Sequence, residues 1–179
     1  MVDLSGPVEE VARRLLGHRL STDFDGRTAV VIEEVEAYGG ADDPASHAYR
    51  GRTVRNASMF GPAGTLYVYR SYGVHWCANV VTGPEGAGEA VLIRGGRVVE
   101  GMELVLARRR RRDQLTDGPG KLTQALGITG DHDGTSVLAG PVRLEEGPAP
   151  DPALVFRTPR IGISREAERP WRFVVDGGG

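Results

Sequence analysis

The segment VEAYGGADDPASHA places a carboxylate and an aromatic ring two residues apart, at Glu36 and Tyr38, and a histidine, His47, follows after a turn-rich loop. Residues two apart on a β-strand project from the same face, so a strand through this segment aims the carboxylate and the phenol in one direction. A buried carboxylate is costly unless it is paired or hydrogen-bonded. Glu36 is therefore either the structural partner of an arginine such as Arg94, or a general base that activates water while Arg94 helps to hold it in position.

The strand that must position Glu36 is predicted from TAVVIEEVEAY, residues 28–38, which is rich in β-branched residues. Two further carboxylates on this strand, Glu33 and Glu34, compete for the role of base. Glu33 has the wrong parity to join Tyr38, and Glu34 has the right parity but lies one step further away. Strict alternation places Val30, Ile32, Glu34, Glu36 and Tyr38 on one face, and Ala29, Val31, Glu33, Val35 and Ala37 on the other.

A metal-dependent hydrolase is a rival interpretation, with Glu33, Glu34, Glu36 and His47 as ligands. The four histidines never form a close ligand pair, which argues against a zinc site. The chain also lacks the GxGxxG, Walker A, HExxH and GxSxG motifs. We therefore expect no metal and no other cofactor.

A large aromatic residue occupies the predicted tip of a hairpin in TLYVYRSYGVHWCANVVT, residues 65–82. The turn is expected near Ser71, Tyr72 and Gly73, where Gly73 can supply the positive φ that such turns need. Small polar residues usually occupy these positions. Tyr72 is therefore either a singly exposed surface residue or a wedge that enters a stack of bases.

Basic residues are clustered although the 179-residue chain has a formal net charge of −2. Lys121 is the single lysine, and the arginines gather at Arg50, Arg52 and Arg55 and in the run 108–112. Phosphate contact depends on local rather than total charge, so these clusters are either solvated surfaces or nucleic-acid contacts.

The composition bounds the location and the class of the protein. One cysteine, Cys77, excludes an internal disulfide and is most simply a small core residue. No apolar run approaches the length of a bilayer span, and the N-terminus lacks the basic and apolar regions of a signal peptide. We expect no membrane association and a cytoplasmic location.

The remaining pattern predicts an α+β fold. An amphipathic helix is predicted at 7–17, a short strand at 90–96, a helix from about residue 101 and a short helix in GPGKLTQALGI. Strands do not alternate regularly with helices, which favours a single domain built on a mostly antiparallel, curved β-sheet with surrounding helices. We assign residues 1–175 to this domain and 176–179 to a disordered tail.

Several blocks, in this order, resemble the alkyladenine (3-methyladenine) DNA glycosylase family of the mammalian alkylpurine type. They are VEAY with its loop histidine, GTLYVY, AVLIRG, GPGKL, PRIGI and RPWRFVV, and the resemblance extends from about Leu4 to Val175. It implies a fold similar to the C-terminal domain of methionyl-tRNA formyltransferase. It also implies a monomer that acts on double-stranded DNA containing damaged purines and is nucleoid-associated when bound.

The resemblance also implies a role for each matching residue. Glu36 is the catalytic base and Arg94 shares the attacking water; Tyr38, His47 and Tyr69 form the walls of the base pocket; Asn79 crowds the 2-amino group of a normal guanine; Tyr72 intercalates. We add Arg50, Arg52, Arg55 and Lys121 as DNA-backbone contacts. The hairpin tip reads Arg70–Ser71–Tyr72, which is more polar than the family pattern.

The expected activity is the hydrolytic release of alkylated purines, namely 3-methyladenine and 7-methylguanine, with hypoxanthine and ethenoadenine as further candidates. Glycosylases that also nick the strand attack with an amine, and Lys121, the single lysine, lies in a block that looks structural. We therefore expect no AP-lyase activity. The alternative is a non-catalytic nucleic-acid-binding module of the formyltransferase C-terminal type.

Overall fold

The structure, a computed structural model, describes residues 1–177 and contains one eight-stranded antiparallel sheet. The strands are β1 (Arg19–Asp23), β2 (Arg27–Gly39), β3 (Leu66–Ser71), β4 (His75–Thr82), β5 (Glu89–Glu100), β6 (Val142–Glu145), β7 (Val155–Thr158) and β8 (Arg172–Val175). Six of them follow the order β3-β4-β5-β2-β1-β6, and β8 pairs with both β2 and β7. The predicted α+β domain with an antiparallel sheet is confirmed, whereas the similarity to the formyltransferase domain stays a prediction.

Three helices surround the sheet, each close to its predicted position: α1 (Val8–Leu15), α2 (Met102–Arg109) and α3 (Pro119–Leu126). Short 3-10 turns lie at Gly40–Asp42, Ala57–Phe60, Gly130–His132 and Pro152–Leu154. Helix α1 buries Val8, Val11, Ala12 and Leu15, the stripe that its spacing predicts. Among residues 1–177, no helix has the length and apolar character that crossing a membrane requires.

Two hydrophobic clusters stabilise the fold. The larger one joins α1, α3 and the sheet through fully buried residues such as Leu15, Leu20, Ile93 and Leu122. The smaller one lies beneath the loop after β2 and consists of Ala48, Met59, Tyr67, Val81 and Ala90, with Tyr38, Phe60 and Tyr69 packed against it. The smaller cluster supports the aromatic residues that the sequence predicts to form a site.

Strand β2 does not alternate as predicted, because its register with β5 shifts between Ile32 and Glu34 and again between Glu34 and Val35. Val30 and Ile32 therefore share the main core with Val35 and Ala37, which strict alternation places on the opposite face. A β-bulge inserts an extra residue and so reverses the facing of the later part of the strand. Glu36 and Tyr38 both lie after the irregularity, and so they still share a face, as predicted.

Two strands differ from the sequence prediction, and the predicted tail is not tested. The sequence pattern does not predict strand β1, and β5 extends well beyond the predicted range of 90–96. The predicted tail 176–179 lies partly outside the described residues; within it, the backbone N–H of Asp176 donates to the carbonyl of Leu154 at 2.7 Å.

We predict that Gly96→Ala lowers the free energy of unfolding by about 1–3 kcal/mol, the usual cost of overpacking. Gly96 pairs with Ile32 next to the irregularity, and an added Cβ would overlap the carbonyl oxygen of Val31. Urea denaturation measures the change. Val99→Ala, an exposed position on the same strand, is the matched control and should change stability by a few tenths of a kcal/mol. Equal stability of both variants and the wild type would contradict the tight β2–β5 contact.

Candidate active site

An open pocket of about 810 Å³ lies where β2, β3, β4 and β5 meet the loop after β2 and the segment 161–165. Tyr69 and Asn79 lie on the paired strands β3 and β4, and Arg94 lies on β5. Of the residues predicted for the site, Tyr38, His47, Arg55, Tyr69, Tyr72, Asn79 and Arg94 all line this pocket. The tertiary structure thus brings together residues from distant parts of the chain.

Glu36 is fully buried, with 0% of its side chain exposed, and does not itself line the pocket. The Tyr38 hydroxyl donates to its Oε2 at 2.8 Å, and the backbone N–H of Ile161 donates to its Oε1 at 2.7 Å. Arg94 Nη1 approaches the same Oε1 at 3.5 Å. Tyr38, Arg94 and Ile161 all line the pocket, so the carboxylate is in contact with three residues of the pocket wall.

The closer partner of Arg94 is Glu34. Arg94 Nε donates to Glu34 Oε1 at 2.9 Å, and Arg172 Nε donates to the same oxygen at 2.7 Å. The Arg94 guanidinium therefore lies between two carboxylates, that of Glu34 at 2.9 Å and that of Glu36 at 3.5 Å. A simple ion pair with Arg94 therefore describes Glu36 poorly. The shortest contacts of Glu36 are its hydrogen bonds with Tyr38 and Ile161, not its contact with Arg94.

The four residues of the rival metal site do not converge. Glu33 lies beside Arg97, at 3.2 Å, and Glu34 is engaged by two arginines. Within residues 1–177, no group of three or more His, Cys, Asp or Glu side chains is arranged to hold a metal ion.

Aromatic rings form part of the pocket wall. The rings of His47 and Tyr69 meet edge to face with centroids 4.4 Å apart, and Tyr67 lies behind Tyr69 at 5.5 Å. His47 Nδ1 shares a hydrogen bond of 3.1 Å with the Tyr67 hydroxyl, which fixes the orientation of the imidazole. Such a wall suits a flat, π-rich ligand.

Burial sets the protonation of these groups. His47 retains exposed surface, but the part of its ring that is desolvated in the pocket and the positive charge of Arg55 both lower its pKa, which favours the neutral imidazole at pH 7. Burial also raises the pKa of Tyr69 and of Tyr38, and the nearby negative charge of Glu36 raises that of Tyr38 further. Both phenols therefore remain protonated, and Tyr38 remains a hydrogen-bond donor to Glu36.

Asn79 is buried on β4 at the base of the pocket. Its Nδ2 donates to the carbonyl oxygen of Tyr67 at 3.1 Å on the neighbouring strand. This bond fixes the amide against the sheet, so a group entering the pocket meets a rigid polar surface at this point.

Tyr72 stands at the tip of the β3–β4 hairpin with 93% of its surface exposed. The backbone N–H of Val74 donates to the carbonyl of Ser71 at 3.0 Å, and both central residues are left-handed, with φ of 51° at Tyr72 and 65° at Gly73. A left-handed conformation costs a residue with a side chain about 1–2 kcal/mol. The turn thus holds a large ring in solvent in an unfavourable backbone conformation, at the mouth of the pocket.

The basic residues predicted to contact DNA fall into two groups. Arg50, Arg52 and Arg55 are exposed on the loop after His47, where Val54 between them is 100% exposed. Lys121 is the third residue of α3, outside the pocket, and pairs with Asp117 at 3.1 Å.

The arginine run 108–112 is partly structural. Arg108 donates to the carbonyl of Ala125 at 3.0 Å and pairs with Asp25, and Arg109 donates to Gln124. These two side chains connect α2 to α3, which favours a structural explanation for them.

Sequence reasoning missed three residues around Glu36. Ile161 supplies a backbone N–H, and Arg160 and Asp43 form a buried ion pair next to it. The PRIGI block is part of the resemblance, but nothing in its residue types indicates that a backbone group would meet the carboxylate. A backbone donor has no sequence signal of its own.

The chain is similar to known proteins over nearly its whole length. Residues 3–178 match the family model described as methylpurine-DNA glycosylase (MPG). A relative from Nocardia farcinica is 53% identical over 172 residues, covering 90% of this chain and 80% of the relative; one from Methanoculleus marisnigri is 53% identical over 173 residues, covering 93% and 89%. One from Streptomyces avermitilis is 47% identical over 178 residues, covering 95% and 84%. All three carry the provisional name 3-methyladenine DNA glycosylase. The chain therefore belongs to the methylpurine-DNA glycosylase family and is a DNA glycosylase.

Proposed function

We propose that this glycosylase hydrolyses the N-glycosidic bond of alkylated purines in double-stranded DNA, with 3-methyladenine and 7-methylguanine as substrates. Hypoxanthine and ethenoadenine are further candidates. The observation that carries the proposal is the buried carboxylate of Glu36, which is hydrogen-bonded to two residues that line an aromatic-walled pocket. The three named relatives support the substrate class.

Access to the bond requires that the nucleotide leave the helix. A glycosidic bond inside a duplex cannot be reached, and extrusion of the nucleotide costs a few kcal/mol, least for a damaged base. Tyr72 is exposed at the mouth of the pocket and is shaped to fill the gap in the stack. We propose that Tyr72 intercalates there while the base enters between the rings of Tyr38, His47 and Tyr69.

Recognition then rests on charge and shape. Alkylation at N3 or N7 makes a purine cationic, and a cation on an aromatic face gains about 0.5–2 kcal/mol per ring. Neutral His47 adds no repulsion toward such a cation. Asn79, which is fixed against the sheet, is placed to crowd the 2-amino group of an unmodified guanine. Together these contacts favour alkylated purines over normal ones.

The chemical step uses one water molecule. Glu36 takes a proton from the water as the oxygen attacks C1′, and the electron pair of the C1′–N bond leaves with the purine, whose positive charge it neutralises. Positive charge develops on the sugar, and the carboxylate of Glu36 stabilises it electrostatically. Arg94, held by Glu34, is proposed to share the water with Glu36. The products are a free purine and an abasic sugar.

Because the side chain of Glu36 has no exposed surface, this mechanism requires that a water molecule gain access to its carboxylate. Each carboxylate oxygen can accept two hydrogen bonds, and Oε2 accepts one from Tyr38. A second lone pair is thus available to water once the neighbouring side chains separate by the width of one molecule. We propose that base entry against the Tyr38 ring opens this gap.

Three further features of the proposal concern the reaction type, the DNA contacts and the oligomeric state. The pocket lining contains no lysine among the described residues, and Lys121 is paired outside it, which supports hydrolysis without AP-lyase activity. We propose that Arg50, Arg52, Arg55 and Lys121 contact phosphates, the interactions that position proteins on DNA. The protein is proposed to act as a monomer.

We predict that Glu36→Gln lowers single-turnover release of 3-methyladenine by about 10²–10⁴-fold, the usual contribution of a general base. Gln keeps the shape and can still accept from Ile161 N–H, so lesion binding should remain. Glu33→Gln on the same strand, where Glu33 faces Arg97, is the matched control and should keep its activity. Released bases are measured by chromatography. Undiminished excision by Glu36→Gln would remove the assigned base.

We predict opposite effects on stability and function for Tyr72→Asn. Asparagine accepts the left-handed conformation more readily than tyrosine, so the melting temperature should be equal or higher. Affinity for lesion-containing duplex should fall more than the single-turnover rate, because the wedge is lost. Met102→Ala removes an exposed apolar side chain outside the pocket lining and controls for general surface effects. Unchanged lesion affinity in Tyr72→Asn would refute intercalation.

We predict full activity in EDTA, because arginines engage Glu33 and Glu34 and leave Glu36 to hydrogen bonds. The assay uses methylated duplex DNA with and without chelator. Activity that disappears in EDTA and returns on addition of a divalent metal would instead support the metal-dependent rival.

A further inference from the structure

A buried ion pair outside the proposed catalytic residues connects the two segments that enclose Glu36. Arg160 and Asp43 have fully buried side chains. Arg160 Nη1 donates to Asp43 Oδ2 at 2.5 Å, and Nη2 donates to Oδ1 at 2.9 Å. This is the two-pronged geometry in which a guanidinium and a carboxylate bind most strongly.

Asp43 fixes one of the two segments, the loop between β2 and His47. Its Oδ2 accepts the backbone N–H of Gly39 at 3.0 Å, and its Oδ1 accepts that of Ala45 at 3.1 Å. Burial by itself raises the pKa of Asp43, but the hydrogen bonds from Arg160 and these backbone groups outweigh it and hold the pKa below its usual value. Asp43 is therefore charged at neutral pH.

Arg160 fixes the other segment and reaches β2 directly. Its Nη1 also donates to the carbonyl oxygen of Ala37 at 3.0 Å, the residue between Glu36 and Tyr38. Its guanidinium lies 4.9 Å from the centre of the Tyr38 ring and 5.5 Å from that of Trp171. A single side chain thus touches the backbone beside Glu36 and the ring whose hydroxyl binds Glu36.

The residue after Arg160 is the one whose N–H binds Glu36. Ile161 donates at 2.7 Å, yet about half of its surface is exposed, and an added Cβ on Gly162 would meet no atom within 4 Å. The segment beyond Arg160 therefore has little packing of its own to hold it against the carboxylate. Its position depends on the anchor at Arg160.

Stability alone does not account for this pair. Buried ion pairs are often no more stabilising than well-packed apolar residues of similar volume, because desolvation offsets the attraction. Arg160 Nε is in addition buried without a hydrogen-bond partner among the described residues. The arrangement is better explained by the geometry that it enforces.

We propose that the Asp43–Arg160 pair positions the catalytic carboxylate, by holding the Ile161 N–H on Oε1 and the Tyr38 hydroxyl on Oε2 of Glu36. The inference rests on the proposed function of Glu36 and adds two positioning residues to it. Neither residue lines the pocket, so both act through Ile161 and Tyr38 rather than on the substrate.

The test is Asp43→Asn, which keeps the shape but weakens the pair. We expect the single-turnover rate of 7-methylguanine release at saturating DNA to fall by about 100-fold, the effect of a displacement of about 1 Å in a catalytic group. Affinity for lesion-containing duplex should fall much less than the rate, because the phosphate contacts and Tyr72 are untouched. In a Glu36→Gln background, the same substitution should cause no further loss, because its effect passes through Glu36.

The matched control is Leu144→Ala, which destabilises the core at β6, outside the pocket. Both variants are assayed at a temperature at which circular dichroism shows them folded. A purely structural role for Asp43 predicts that the folded Asp43→Asn protein has the wild-type rate, that Leu144→Ala loses as much rate, or that the loss recurs in full in the Glu36→Gln background. Any of these outcomes overturns the proposal.

Hydrogen exchange on the wild-type protein provides a second test if Asp43→Asn does not fold. Peptides covering 160–163 should exchange as slowly as those of β2 if the pair anchors the segment, and exchange as fast as that of the hairpin tip would refute the anchor. Assaying the wild type in the same way distinguishes a failure of the proposed function from a failure of the positioning role. An inactive wild type contradicts the proposed function, whereas an active wild type with an inactive Glu36→Gln and a fully active Asp43→Asn contradicts only the positioning role.

Discussion

The structure around the pocket is organised by one constraint, the burial of a single carboxylate. Glu36 has no exposed surface, so its charge must be compensated by donors that the fold supplies. It receives a phenol from its own strand, a backbone N–H from the C-terminal part of the chain and the more distant guanidinium of Arg94. Each donor comes from a different element, so these contacts join the elements at Glu36.

The sheet is built so that these elements can meet. Strand β2 pairs with β5 along one edge, and on the other edge with β1 in its first half and β8 in its second. The irregular register near Glu34 reverses the facing of the strand, so that Val35 and Ala37 join Val30 and Ile32 in the main core while Glu36 and Tyr38 face away from it. Arg172 on β8 and Arg94 on β5 then converge on Glu34 from the two flanking strands.

At the hairpin tip, in contrast to the buried Glu36, an aromatic side chain is exposed to solvent. Tyr72 is neither buried nor in a relaxed backbone conformation. Local rules of turn sequence favour glycine or asparagine at such a position, and proteins depart from these rules chiefly at functional sites. Glu36 and Tyr72 thus depart from the usual rules in two ways, as a charge buried inside the protein and as an aromatic ring exposed outside it. Tyr72 lines the pocket, and Glu36 is hydrogen-bonded to residues that line it.

The sequence by itself determined the local features: the stripe of α1, the β3–β4 hairpin with Tyr72 in its turn, and the shared face of Glu36 and Tyr38. These features depend on spacing over a few residues. The sequence blocks, in their order along the chain, were sufficient to indicate the family. The tertiary structure alone decided which face of β2 is buried before the irregularity, and which groups reach Glu36. Ile161 meets Glu36 across 125 residues through a backbone N–H, and Asp43 meets Arg160 across 117. Every residue except proline carries the same N–H, so residue type cannot mark such a donor, and only folding selects it.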